Sequence, residues 1–149
     1  MLLEDDAIVL FQGDSVTDAG RDYTDETDLG TGYPMMAASY FSATYPEKGV
    51  KFINKGISGN RVRDLKERWT TDCIDRKPTW VSILIGINDC WRRYDSDDPT
   101  PKENFEADYR YILRQTRDKL HAKLILCEPF VLPVSEDREA WREDLDPKI

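Results

Sequence analysis

Ala7-Ile8-Val9-Leu10-Phe11, followed directly by Gln12-Gly13-Asp14-Ser15, reads as a buried strand that delivers a serine just beyond its carboxyl end. The run is continuously apolar rather than alternating, the pattern of a parallel strand covered on both faces. Segments 50–54, 80–85 and 123–127 have the same character. Helical periods lie between them. Tyr33, Met36, Ala37, Tyr40 and Phe41 form one stripe, and Val62, Leu65, Trp69 and Cys73 a second. Phe105, Tyr109, Ile112, Leu113, Thr116 and Leu120 form a third, at the i, i+3, i+4 spacing of a half-buried helix. Thr100 as N-cap, Pro101 in the first turn and Glu103 three residues past the cap mark its start. Strands alternating with helices predict βαβ units and a three-layer α/β/α sandwich on a parallel sheet.

In such a sheet, ligands bind outside the carboxyl ends of the strands. Ser15 lies past the first strand, Gly59 of Asn54-Lys55-Gly56-Ile57-Ser58-Gly59 past the second, and Asn88 of Gly86-Ile87-Asn88-Asp89 past the third. Taken singly, these are a turn serine, a turn glycine and a helix cap. Together, each on the same rim, they have the layout of an acyl-transfer site. Ser15 is the candidate nucleophile, at a turn into a helix whose free N–H groups favour an oxyanion. Gly59 has no side chain, so its N–H can approach a substrate oxygen. Asn88 can donate through its amide. Asp14 and Trp91 are the candidate substrate-binding residues beside them.

Composition narrows the functional classes. The net charge is -8 and the pI about 4.7, which disfavours binding to a phosphate backbone or an anionic membrane surface. No apolar run is long enough to span a bilayer, and Met1-Leu2-Leu3-Glu4-Asp5-Asp6 is acidic where a signal peptide is basic. Cys73, Cys90 and Cys127 are odd in number and far apart, which fits neither a disulfide framework nor a CxxC metal site. A cytoplasmic location is expected, with no cofactor and no metal. At 149 residues a single domain is expected.

The three blocks resemble the GDSL, or SGNH, hydrolase family: Gly13-Asp14-Ser15 its first block, Gly59 its second, Gly86-Ile87-Asn88-Asp89 its third. Asn54-Lys55-Gly56-Ile57-Ser58-Gly59-Asn60, Val62-Arg63-Asp64-Leu65 and Ile85-Gly86-Ile87-Asn88-Asp89 look closest to the carbohydrate acetylesterase branch, such as the acetyl-xylooligosaccharide esterases. The resemblance implies a flavodoxin-like sheet of five parallel strands in order 2-1-3-4-5. It also implies a serine esterase for acetyl or other short-acyl esters, with a small-molecule ester as partner. Serine, glycine N–H and asparagine amide would form the nucleophile and oxyanion hole. A lysophospholipase or thioesterase of the same family, and a non-catalytic binding remnant of the fold, are the alternatives.

One departure is decisive. The family's Asp-x-x-His block is absent, and with it the expected last strand and last helix. The sole histidine, His121, precedes the fourth strand. That places it at the amino edge, roughly 15–20 Å from the rim at about 3.3 Å per strand residue. Asp146-Pro147 reads as the start of a helix with only Lys148 and Ile149 after it, which suggests a piece of a longer chain. Segment 123–127 would then be an open, apolar sheet edge, inviting self-association. Ser135 and the polar run after it should begin a short helical stretch with Trp141 and Leu145 on one side. Trp80 and Trp141 are expected in the core or an interface. Asp18, Asp22, Asp25, Glu26 and Asp28 read as one solvated acidic loop, and Cys90 has no histidine partner that would make it a catalytic thiol.

Overall fold

A computed structural model describes residues 3–132, 134 and 136–149. Strands β1 (Ile8–Gly13), β2 (Lys51–Asn54), β3 (Trp80–Leu84) and β4 (Lys123–Cys127) form one sheet in the order β2-β1-β3-β4, and every pairing is parallel. This reproduces the first four positions of the expected order. β1 runs two residues further than its apolar run. Gln12 is fully buried, yet its amide is satisfied at both ends: Nε2 donates to Asp72 O (2.8 Å) and Oε1 accepts from Arg68 (3.0 Å). A polar residue can continue a buried strand when every polar atom finds a partner.

The helices are α1 (Ser15–Asp18), α2 (Tyr33–Thr44), α3 (Val62–Asp72), α4 (Ile87–Asp95), α5 (Lys102–Leu120), α6 (Glu136–Glu139) and α7 (Trp141–Leu145). Alternate residues of β1 feed opposite layers. Leu10 joins Val81, Ile83 and Ile85 against Val62, Leu65, Trp69 and Cys73 of α3 and Phe105 and Ile112 of α5. Val9 and Phe11 join Ala7 and Trp80 on the other face, against Tyr33 of α2 and Phe52 of β2. Trp69 links the two helices of the larger layer: its indole N–H donates to Thr116 Oγ1 at 3.1 Å, and that hydroxyl donates to Ile112 O at 2.8 Å. The stripes expected for α3 and α5 are therefore the buried ones.

Two local expectations fail. In α2 the period is right but the phase is wrong: Pro34 and Ala38 are buried, whereas Met36 and Tyr40 are 68% and 75% exposed. Tyr33 and Phe41 do reach inward, with Tyr33 edge-on to Phe11 and Phe41 edge-on to Phe52. The small Ala38 lets the helix lie close to the sheet, and the bulkier neighbours turn outward. In α5 Thr100 is not the cap. The helix begins at Lys102 with Pro101 in the cap position and no side-chain cap bond.

Beyond β4 the chain folds back. Trp141 and Leu145 of α7 bury themselves with Cys90 of α4, and Tyr94 stacks on Trp141. This places Trp141, like Trp80, in the interior. Asp146–Lys148 forms one 3₁₀ turn, and Lys148 Nζ is buried between Asp144 O (2.7 Å) and Asp144 Oδ1 (3.0 Å). Ser135 lies outside the described residues. β4 borders the sheet. Leu124 packs on the α3/α5 core, while Ile125 and Leu126 remain exposed.

Candidate active site

Parallel pairing aligns the carboxyl ends of β1, β2 and β3, with Phe11 beside Asn54 and Gly13 beside Leu84. Gly13 has to be glycine. A Cβ there would lie 2.1 Å from Thr17 Oγ1 and 2.4 Å from Leu84 O, distances no side chain can occupy. After it Asp14 caps α1, its Oδ1 accepting from Val16 N at 3.0 Å. Asp14 is 1% exposed, and desolvation pushes its carboxyl up to about 6. Among the described residues, the one side-chain hydrogen bond that its carboxylate makes is to the turn that presents Ser15. Ser15 opens α1 and is exposed. Among the described residues, no hydrogen bond ties up its hydroxyl or its N–H. A four-residue helix carries little dipole, so these individual donors matter more than the macrodipole.

The loop after β2 is held against that turn. Asn54 is buried; its Nδ2 donates to Thr17 O (2.7 Å) and Leu29 O (2.9 Å), and its Oδ1 accepts from Gly56 N (2.8 Å). Gly56 presses on α1, where a Cβ would come within 2.3 Å of Asp18 N. Ile57 N donates to Gly13 O at 3.1 Å. Gly59 adopts φ +82°, a left-handed conformation that glycine takes without strain. Its N–H has no partner among the described residues.

The third block comes in from β3. Asn88 is 4% exposed, and its Nδ2 donates to Asn60 O at 3.0 Å. An amide nitrogen has two hydrogens, so one remains for an oxyanion. The next residue, Asp89, grips the same segment: its Oδ2 accepts from Val62 N at 3.1 Å. Asp89 is fully buried, and burial pushes its carboxyl up to about 6. Its Oδ1 and the neighbouring Thr100 hydroxyl both lack a hydrogen bond of ordinary geometry. The three blocks are thus tied in sequence, Gly13 to Ile57 and Asn60 to Asn88.

Several residues take roles the sequence does not show. Asp18 is not part of a solvated acidic loop. It is 3% exposed and accepts from Ser58 N (2.9 Å), Ser58 Oγ (2.7 Å) and Tyr23. Asp22, Asp25, Glu26 and Asp28 of that group are exposed or half-buried, as expected of a solvated segment. No cluster able to hold a metal ion occurs among the described residues. Trp91 is half-exposed, with its ring centroid 5.5 Å from that of Trp141 and the Arg138 guanidinium 5.4 Å from it. Packing against the 136–148 segment therefore accounts for one side of the ring. Cys90 is buried with its thiol pushed up to about 12, which rules it out as a thiolate nucleophile. His121 ends α5 at the amino edge of β4, beside Asp6, Thr79 and Lys123. It is at the opposite end of the sheet from Ser15.

The comparisons agree with this geometry. The GDSL-like Lipase/Acylhydrolase family matches residues 11–148. An acetylxylan esterase of Geobacillus stearothermophilus is 43% identical over 148 residues, spanning 93% of this chain and 66% of that protein. A crystal structure of a catalytic mutant of that esterase superposes with a TM-score of 0.89 at 40% identity, covering 98% of this chain and 69% of the other. A GDSL-like lipase structure from Parabacteroides merdae superposes with a TM-score of 0.91 at 37% identity, over 98% and 71% of the two chains. The chain spans about two thirds (66%) of the length of the curated esterase. With a family match over nearly its whole length and the strand order and blocks in place, the chain belongs to the GDSL-like lipase/acylhydrolase family.

Proposed function

We propose that this chain carries the nucleophile and oxyanion hole of a serine esterase that removes acetyl or other short acyl groups from carbohydrate. The observation that carries the reading is the linked rim: Ser15 is exposed at a strand end, its block is tied through Gly13–Ile57 to the Gly59 loop and that loop through Asn60–Asn88 to the third block, and the Gly59 N–H and the second Asn88 amide hydrogen have no partner among the described residues. The Ser15 hydroxyl attacks the ester carbonyl, and the developing oxyanion is met by the N–H groups of Ser15 and Gly59 and the amide of Asn88. The tetrahedral intermediate collapses with loss of the sugar alcohol, leaving an acetyl-serine that water hydrolyses. The substrate class rests on the 43% identity to an acetylxylan esterase.

Among the described residues, no imidazole lies beside Ser15 to take its proton. His121 is the only histidine, and it sits at the far edge. On the esterase reading an imidazole or other base for Ser15 would have to be supplied to it. Solved catalytic mutants of the Geobacillus esterase replace a serine, an aspartate and a histidine, consistent with a triad of that kind. The lone distant histidine also favours a second reading, a binding remnant without chemistry. Hydrolysis of p-nitrophenyl acetate and release of acetate from acetylated xylooligosaccharides separate the two. The esterase reading expects a slow rate that Ser15→Ala removes and His121→Ala leaves untouched. No Ser15-dependent turnover, with or without added imidazole as a base, refutes it in favour of the binding reading.

The same proposal extends to assembly. β4 borders the sheet with Ile125 and Leu126 exposed. A second copy pairing antiparallel about a two-fold between these residues would set Lys123 of each chain opposite Glu128 of the other. That charge pairing, for which Lys123 would share or leave its ion pair with Glu4, makes a second copy of this chain the occupant we favour for the edge.

A further inference from the structure

Gly59 sits between two pinned neighbours. On one side, Ser58 donates through its N–H and its hydroxyl to Asp18 Oδ2. On the other, Asn60 is held three times, its N–H donating to Ile57 O at 3.2 Å. Its backbone oxygen accepts from Asn88 Nδ2 at 3.0 Å, and its side-chain Oδ1 accepts from Arg68 Nε at 2.8 Å. Arg68 belongs to none of the three blocks. It lies on α3 with its side chain only 15% exposed. Three of its other four N–H groups are also engaged: Nη1 reaches Gln12 Oε1 (3.0 Å) and Asp72 Oδ2 (3.0 Å), and Nη2 reaches Gly13 O (3.4 Å). Gln12 and Gly13 are the last residues of β1, immediately before Asp14-Ser15. One planar group therefore bridges the strand end that presents Ser15 and the residue next to Gly59.

We infer that Arg68 is a positioning residue for the oxyanion hole, fixing the Gly59 N–H relative to Ser15; the inference rests on the esterase reading above. The choice of side chain supports it. A guanidinium carries donors in a rigid fork, so the angle between its acceptors is set by covalent geometry. A lysine ammonium at this position could satisfy Asp72 but could not hold Asn60 and Gly13 at a fixed separation. Mere packing would not call for a cation here, because a buried charge with a single carboxylate partner is costly to desolvate and apolar residues of similar volume often do as well. The network is also economical in sequence: α3 follows the Gly59 loop directly, so Arg68 turns back one face of its own helix onto the loop that precedes it.

The test combines a structural readout and a kinetic one. In the spectrum of chain labelled with ¹⁵N-glycine, eight glycine amides are expected. Gly49, next to Asp6 at the amino edge, serves as the distant control. Arg68→Lys is expected to shift or broaden the Gly59 amide and leave Gly49 in place. Asn60→Ala, which removes only the acceptor of Arg68 Nε, is expected to do the same, and the double variant to do no more than either. The Ser15-dependent kcat on p-nitrophenyl acetate should fall roughly 10- to 100-fold in each with KM within about twofold, the signature of a misplaced transition-state donor. An unmoved Gly59 amide in folded Arg68→Lys, or additive effects of the two substitutions, overturns the inference. If Arg68→Lys fails to fold, Asn60→Ala alone decides it by the same readouts. A parental rate unaffected by Ser15→Ala sinks the esterase reading instead, and the Gly59 amide still decides the positioning claim.

Discussion

Replacing Asp89 by asparagine should make the protein more stable at neutral pH and leave it unchanged in acid. The Asp89 carboxyl is fully buried; Oδ2 holds Val62 N at 3.1 Å, and Oδ1 has only the Thr100 hydroxyl nearby, outside ordinary hydrogen-bond geometry. Arg61 and Lys148 offset part of its desolvation, yet burial dominates and the carboxyl titrates near 6 rather than its ordinary 3.8. The folded state therefore binds the proton more tightly than the unfolded state. Between those two values the folded chain holds more protons, so stability falls as pH rises through this window. At 1.36 kcal/mol for each tenfold change in proton affinity, the ionised group costs about 3 kcal/mol by pH 8. In Asp89→Asn the amide oxygen keeps the Val62 bond and the NH₂ faces the unpaired Thr100 hydroxyl, with no charge to bury. Urea unfolding followed by tryptophan fluorescence, at intervals from pH 4 to pH 8, measures the difference between variant and parent. That difference isolates Asp89 from Asp14, whose carboxyl is pushed up in the same sense. It should be near zero at pH 4 and approach about 3 kcal/mol in favour of the variant at pH 8, or roughly 6–12 °C in Tm for a chain of this size. A difference that stays flat across the range refutes the desolvation argument. A parent more stable at pH 8 would show that the ionised carboxylate has a partner that compensates its burial.

Gly56→Ala should cost about 1–3 kcal/mol or more, because its Cβ would meet backbone atoms Asp18 N and Thr17 C at 2.3 and 2.7 Å; urea unfolding within about 0.5 kcal/mol of the parent would show that α1 can move aside. If β4 edges pair between copies, light scattering after size exclusion should find a dimer that Leu126→Lys converts to monomer. A parent that stays monomeric at high concentration ends the edge-pairing proposal.

The sheet was legible because a parallel strand buried on both faces has to be apolar throughout, a demand that survives in any single sequence. Its limits were less so. Gln12 extends β1 only because Arg68 and the Asp72 carbonyl satisfy its amide, and those partners lie 56 and 60 residues away. The phase of α2 misled for a related reason. Met36 and Tyr40 satisfy a helical period as well as Ala38 does, and only the closeness of helix to sheet decides which side turns inward. Thr100 reads as a cap because a hydroxyl before a proline at a helix start usually is one. Here the chain instead places that hydroxyl against Asp89.

The rim separates in the same way into what local pattern can announce and what it cannot. Ser15, Gly59 and Asn88 are announced because each must follow a strand end, and strand ends are visible. Asp14 and Asp89, their immediate neighbours, look like equal partners in the motifs, yet both are buried acceptors that shape backbone: one caps the turn under Ser15, the other holds the start of α3. Arg68 and Asp18 give no local signal at all, since their partners are residues brought close only by the fold. Asn60 stands between the two classes. It sits inside a recognisable stretch, but its importance comes from accepting one hydrogen bond from the third block and one from α3 at once. The donor beside it, Gly59 N–H, can be no better placed than Asn60 is held. On the proposed reading, the geometry of the oxyanion hole is set by residues that sequence motifs pass over as much as by those they name.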